Sequence, residues 1–168
     1  TMKSLNVKTD NMIQVFILNK ELDPVTTRKE GKDAIICGSC PLKSNNGCYV
    51  NVGQAPLAVY KAYKANKYSK DYNQFLSVIG NRKVRFGAYG DPSYIKLAII
   101  KDIVAVAAGH TGYTHQWTGR GFDLEYLNYL QASVDNVNQL KLLQAKAPSA
   151  KYFRIVDNLS EKVLLIIK

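Results

Sequence analysis

Cysteine is missing from this chain everywhere except residues 37–48, where Cys37, Cys40 and Cys48 fall within ICGSCPLKSNNGCYVNVGQAP. A set that is odd in number and this clustered makes no disulfide framework. In a reducing compartment it points to metal binding or redox chemistry. Other shortages exclude other classes. No apolar run approaches the roughly 20 residues of a membrane-spanning helix. The opening TMKSLNVKTDNMIQ has neither the apolar core nor the small-residue cleavage site of a secretory signal. Low-complexity segments, interdomain linkers and polybasic tails are also missing. We therefore expect one domain over 1–168, in the cytoplasm, with reduced thiols and no membrane partner.

Acidic residues are scarce: 13, against 23 basic ones, for a net charge of +10. That excess favours polyanionic partners such as nucleic acid, phosphorylated ligands or acidic protein surfaces, and it serves solubility equally well. Most of the cations are lysines, whereas base readout and tight phosphate clamps lean on arginine. With 168 residues, 46% of them hydrophobic, the chain is long enough for one full core.

The residues present divide into alternating strands and helices. Met12–Leu18, rich in β-formers, reads as a strand, followed by a loose polar stretch over 19–34. Pro56 opens a helix, PLAVYKAYKANKY, with Leu57, Tyr60 and Tyr63 on one face and Lys61, Lys64 and Lys67 as a ridge. KVRFGAYGDP gives a strand over Val84–Tyr89 and a turn at Gly90. Asp91 as cap and Pro92 as first helical residue then open a buried helix to about Ala108. HTGYTHQW reads as a strand, and Asp123 caps a short helix, LEYLNYL. A strand follows at Leu130–Val134, then VNQLKLLQAKA capped by Asp135 or Asn136. KYFRIV and the terminal KVLLIIK read as strands. Strand starts near 84, 111, 130 and 152 predict an α/β fold: a mainly parallel sheet with right-handed crossover helices. Four such units are too few for an eight-stranded barrel, so the expected architecture is an open, partial TIM-barrel-like one.

Ligands of parallel α/β folds gather at the carboxyl ends of the strands. Those ends supply Tyr89 and Asp91, then His115, Gln116 and Trp117, then Ser133 and Asp135, and finally Arg154. The candidate ligand-binding set is Tyr89, Asp91, His115, Gln116, Asp135 and Arg154. Strand alternation would put Tyr113, His115 and Trp117 on one face. Each has a plainer role open to it: Asp91 as a helix cap, His115 as a satisfied interior histidine, Trp117 as core. The recurrence of polar residues at the same end of successive strands is what favours a site.

Cys37-x2-Cys40 is the spacing at which two thiolates reach one metal centre, and Cys48 can return through a turn at Gly47 as a third ligand. Three thiolates suit zinc, with His110, His115 or water completing the set. They also suit a [4Fe–4S] cluster with one iron open to a small molecule. Three reduced cysteines in a metal-free loop, or a redox-labile pair, is the remaining alternative.

The blocks CGSCPL, NNGCYVNVGQAP, RFGAYGDP, TGYTHQW and QASVDN, in that order, resemble a group of uncharacterised bacteriophage proteins. The resemblance runs from about residue 5, NVKT included, to about 156. Those proteins look like shortened relatives of the radical S-adenosylmethionine half-barrel enzymes. The resemblance implies that Cys37, Cys40 and Cys48 hold an iron–sulfur cluster, with Tyr49 as the aromatic that follows the last ligand. The open iron would bind the amine and carboxylate of S-adenosylmethionine. The reduced sulfonium would yield a carbon radical that abstracts hydrogen from a substrate. A phage origin would place the protein in the host cytoplasm.

A rival expectation comes from another class: a non-catalytic basic binding protein acting on a host protein (anti-defence or host takeover) or on nucleic acid. Tyrosine and lysine interleave in YKAYKANKYSKDYNQF, and Tyr60, Lys61, Lys64 and Lys67 would stack bases and meet phosphates. An amphipathic helix with its tyrosines packed inward explains the same stretch, and we favour it.

Overall fold

Strands β1 (Ile13–Phe16) and β2 (Lys83–Tyr89) run parallel, with Ile13 opposite Val84 and Gln14 opposite Arg85. The computed structural model describes residues 12–44 and 46–154. On the other side of β2 lies β3 (Gly109–Thr111), with Arg85 opposite Thr111. A second parallel sheet follows in the order β4 (Tyr113–Thr114), β5 (Gln131–Ser133), β6 (Tyr152–Phe153). Strands therefore stand in sequence order within each sheet, as the alternation predicts. Among the described residues the two sheets do not close into a barrel.

One residue, Gly112, separates β3 from β4. A Cβ there would lie 2.9 Å from both Leu130 Cδ2 and Phe86 Cβ, so only glycine lets the chain pass between these core residues. Its carbonyl accepts the Gln131 N–H at 2.8 Å, which ties β5 to the junction.

Four helices lie between β1 and β2: α1 (Pro24–Lys29), α2 (Ala34–Cys37), α3 (Ala55–Lys64) and α4 (Tyr72–Ile79). Helix α5 (Leu97–Val106) joins β2 to β3, and α6 (Val137–Lys146) joins β5 to β6. The period of two along the strands sorts their side chains into two faces. Ile13, Val84 and Phe86 pack with Ile79 of α4 and with Ile100 and Ile103 of α5. Ala132 joins Trp117, Leu127, Val134 and Leu143 of α6 in a second cluster. The opposite face carries Gln14, Arg85, Thr111, Tyr113 and Gln131, and the Gln131 amide reaches Thr111 Oγ1 at 3.5 Å. No helix among the described residues is long and apolar enough to cross a membrane.

Several elements differ from the sequence reading. Asp91 does cap a turn at Pro92, but that turn is a 3-10 turn ending at Tyr94. Ile95 and Lys96 are extended before α5 begins. The second half of α5 is not buried all round, since Ala105 and Val106 are exposed. The expected strand over 111–117 stops at Thr114, whose hydroxyl accepts the Gln116 N–H at 3.0 Å and turns the chain into a 3-10 turn at Gln116–Thr118. Trp117 is consequently core, while Tyr113 is exposed, so the two do not share a face. Helix α3 ends at Lys64, and Asn66 adopts a left-handed φ of 52° just beyond it. The terminal KVLLIIK and the end of KYFRIV lie outside the described residues.

The polar stretch 19–34 holds α1, opened by the same Asp-Pro signal as the turn at 91. Asp23 accepts the N–H groups of Val25 (2.9 Å) and Thr26 (3.1 Å) and the Thr26 hydroxyl (2.6 Å). The Thr26 hydroxyl, and then its N–H, hold the Asp23 carboxyl below the ordinary value. A carboxylate with a lowered pKa in the fold stabilises above its unfolded pKa of about 3.9 and loses that contribution as pH falls through the folded value. Urea unfolding of Asp23→Ala should show a deficit of about 1 kcal/mol at neutral pH. The deficit should vanish in acid, below the folded pKa of Asp23.

Candidate functional site

The cysteine loop leaves the carboxyl-terminal side of β1 by way of α1 and α2, and Cys37 is the last residue of α2. Gly38 ends the helix at φ 54°, and a Cβ there would strike the Gln116 side chain and the Tyr94 hydroxyl. The loop then turns at once, with the Cys40 N–H donating to the Cys37 carbonyl at 3.1 Å.

Two charged residues from the polar stretch fix the loop. The Arg28 guanidinium donates to the carbonyls of Ser44 (2.6 Å), Val50 (2.7 Å) and Cys48 (2.9 Å). Asp33, 2% exposed, accepts the Ser44 N–H at 2.5 Å and its hydroxyl at 2.6 Å. Neither residue was among the sequence candidates. The only local signal was charge in a stretch otherwise read as loose. Removing the guanidinium in Arg28→Met strands three carbonyls. It should cost about 2 kcal/mol in urea unfolding and open the 38–50 loop to limited proteolysis.

The strand ends meet this loop from below. The Asp91 N–H donates to the Ile36 carbonyl at 2.7 Å, and Gly90 beside it, at φ 79°, would bring any Cβ within 2.7 Å of Ile17 Cβ. Buried Asp91 accepts from the Ser93 N–H (3.0 Å) and hydroxyl (2.8 Å), and from the His115 N–H (3.0 Å). Gln116 bridges the two halves of the site. Its amide donates to the Cys37 carbonyl at 2.9 Å and to Asp91 at 3.4 Å, while its oxygen accepts the Ser39 N–H and hydroxyl, both at 3.1 Å. His115 Nε2 lies 3.3 Å from Asp135 Oδ1. Beside that pair a cleft of about 140 Å³ is lined by Ser39, Pro41, His115, Thr118, Ser133, Asp135 and Gln139.

Of the strand-end candidates, Asp91, His115, Gln116 and Asp135 thus form one linked group against the cysteine loop. Arg154 follows β6 directly. Tyr89 is 3% exposed, and its buried hydroxyl has no hydrogen-bond partner among the described residues. Burial pushes the phenol's pKa up, and the charges of Cys37, Asp33 and Cys48 add to it.

The three thiols share one neighbourhood. Burial pushes Cys37 up to about 12, with further contributions from Asp33, Cys40 and Cys48. Burial also raises Cys40, against an opposing hydrogen bond from the Leu42 backbone, and Cys48 adds to the rise. Among the described residues no three His, Cys, Asp or Glu side chains are drawn together closely enough to hold a metal ion. The donor chemistry nonetheless fits a thiophilic centre: three thiols on one pinned loop, with the buried Tyr89 phenol close by.

The tyrosine–lysine helix is a different surface. Tyr60 is 8% exposed and its hydroxyl donates to the Glu21 carbonyl at 3.1 Å, so its ring is not free to stack on a base. Lys64 Nζ lies over that ring at 5.8 Å, and Lys61 and Lys67 are exposed. No protein-family model, curated protein or solved structure matches the chain.

Proposed function

We propose that the chain is a radical S-adenosylmethionine-type protein of half-barrel ancestry, with Cys37, Cys40 and Cys48 as the ligands of a [4Fe–4S] cluster. One observation supports this reading: the three thiols sit on the loop after β1, and the Cys37 carbonyl of that loop is bonded to Gln116 of the group at the later strand ends. A partial barrel with phage relatives is part of the same proposal. The chemistry such a cluster supplies when bound is one electron, delivered to the sulfonium of S-adenosylmethionine.

The chain's own residues would do the rest. Arg28 and Asp33 hold the loop's backbone in place, so the thiols would reach a cluster by side-chain movement on a fixed loop. Buried Asp91, aligned by three N–H or O–H donors, offers a fixed negative group to the cofactor's amine. Gln116 couples that carboxylate to the Cys37 carbonyl. His115, placed beside Asp135, lines the cleft where a substrate group would lie. The Tyr89 hydroxyl, without a partner among the described residues, would donate to a sulfur or a carboxylate bound under the loop.

Anaerobic preparation followed by iron, sulfide and zinc analysis tests the reading. Brown protein with matched iron and sulfide supports it. Stoichiometric zinc without sulfide would make the loop a zinc site instead, and metal-free protein that refuses iron and sulfide would end the proposal.

A further inference from the structure

Away from the cleft that Ser133 lines, the strand face opposite the core has no role in the proposed chemistry. Tyr113 (37% exposed) and Phe153 (48% exposed) project from β4 and β6 with ring centroids 5.3 Å apart. Tyr49, 77% exposed, extends from the cysteine loop, and its hydroxyl accepts from Arg85 of β2 at 3.0 Å. Lys83, two residues from Arg85 and so on the same face, is exposed, as is Lys151 just ahead of β6. None of the six described strands contains an Asp or Glu. Exposed aromatic rings on strands that carry cations and no carboxylates suit a ligand with both apolar faces and phosphates.

We infer that this face binds a single-stranded polynucleotide, with bases stacking on Tyr113, Phe153 and Tyr49 and the backbone running past Arg85, Lys83 and Lys151. Two features favour this occupant over an apolar protein segment. The charges carried by the strands are all positive, and the whole chain carries +10. Single strands are held without sequence preference by this combination of stacking and phosphate contacts. A duplex hides its base faces and gains only from the cations. Because Tyr49 directly follows Cys48, a bound strand would pass beside the cysteine loop. Binding itself needs no metal there, so it stands or falls apart from the cluster reading.

The test is fluorescence anisotropy of a labelled thymidine 12-mer, and of a matched duplex, with the metal-free full chain across a salt series. The single strand should bind at least tenfold more tightly than the duplex. Tyr113→Ala and Phe153→Ala should each weaken it about tenfold. Arg85→Gln should reduce the slope of log K against log salt by about 0.7, the loss of one phosphate contact to a single strand. Thermal melting of each variant shows whether it is folded, and Tyr49→Ala, at the most exposed ring, supplies the case least able to disturb folding. Tyr63→Ala on α3 should leave binding unchanged. Equal affinity for duplex and single strand, affinity indifferent to the three face aromatics, or no binding at low salt would each overturn the inference. So would weakening by Lys61, Lys64 and Lys67 changes alone, which would move binding to α3.

Discussion

Changing Cys37, Cys40 and Cys48 together to serine should reduce the iron and sulfide taken up under anaerobic reconstitution from about four of each per chain to background. The melting temperature of the metal-free protein should barely move. The two expectations follow from one geometry. The thiols are only partly buried, and the loop's shape is held by backbone contacts to Arg28 and Asp33 rather than by sulfur packing. Serine therefore removes the soft donors and leaves the loop standing. Burial holds Cys37 and Cys40 above the ordinary thiol value, so metal uptake must displace their protons. Uptake should accordingly slow as pH is lowered. A triple variant that still binds iron and sulfide at wild-type levels would show that the ligands lie elsewhere.

Trp117→Ala should be the most damaging single substitution in the second cluster, costing about 3–5 kcal/mol. The ring is 1% exposed among Leu127, Ala132, Val134 and Leu143, and its Nε1–H donates to the Ser133 carbonyl at 2.7 Å. Truncation leaves a cavity and strands a buried carbonyl at once. Trp117→Phe keeps most of the packing but loses the bond, and should cost about 1–2 kcal/mol. The damage should reach the cleft, because Ser133 lines it and His115 enters it from the turn that Trp117 anchors. Chemical denaturation followed by far-UV circular dichroism measures both losses. A cost below about 1 kcal/mol for the alanine variant would mean that the turn repacks and that Trp117 does not fix His115.

How much of this could be read from residues alone depends on how local each cause is. The parallel pairing of β2 with β3, and of β4 with β5 and β5 with β6, followed from alternating strand and helix patterns, which are local; the division of the single expected sheet into two at Gly112 did not. The caps at Asp91, Asp123 and Asn136 were legible too, since the side-chain oxygen of each accepts from an N–H two or three residues on. The end of the strand at Thr114 was less visible, because a β-forming run was overruled by one hydroxyl bonding two residues ahead. Helix α4 was missed within a stretch whose Tyr and Lys pattern drew attention from Asp71, its cap. The linked group of Asp91, His115, Gln116 and Asp135 was legible as a recurrence at strand ends. Its joining to the cysteine loop was not, because Gln116 and Cys37 lie far apart in the chain. Arg28 and Asp33 escaped for the same reason: their partners are backbone groups of a loop, which carry no residue-type signal.

The most direct measurement of the central claim is the fate of S-adenosylmethionine incubated anaerobically with the reconstituted protein and dithionite. S-adenosylmethionine should be cleaved to methionine and 5′-deoxyadenosine, and its addition should alter the paramagnetic resonance spectrum of the reduced cluster. Asp91→Asn should weaken both effects while leaving iron and sulfide content unchanged. A cluster-loaded protein whose spectrum ignores S-adenosylmethionine, and which releases no 5′-deoxyadenosine above a protein-free control, would contradict the central claim.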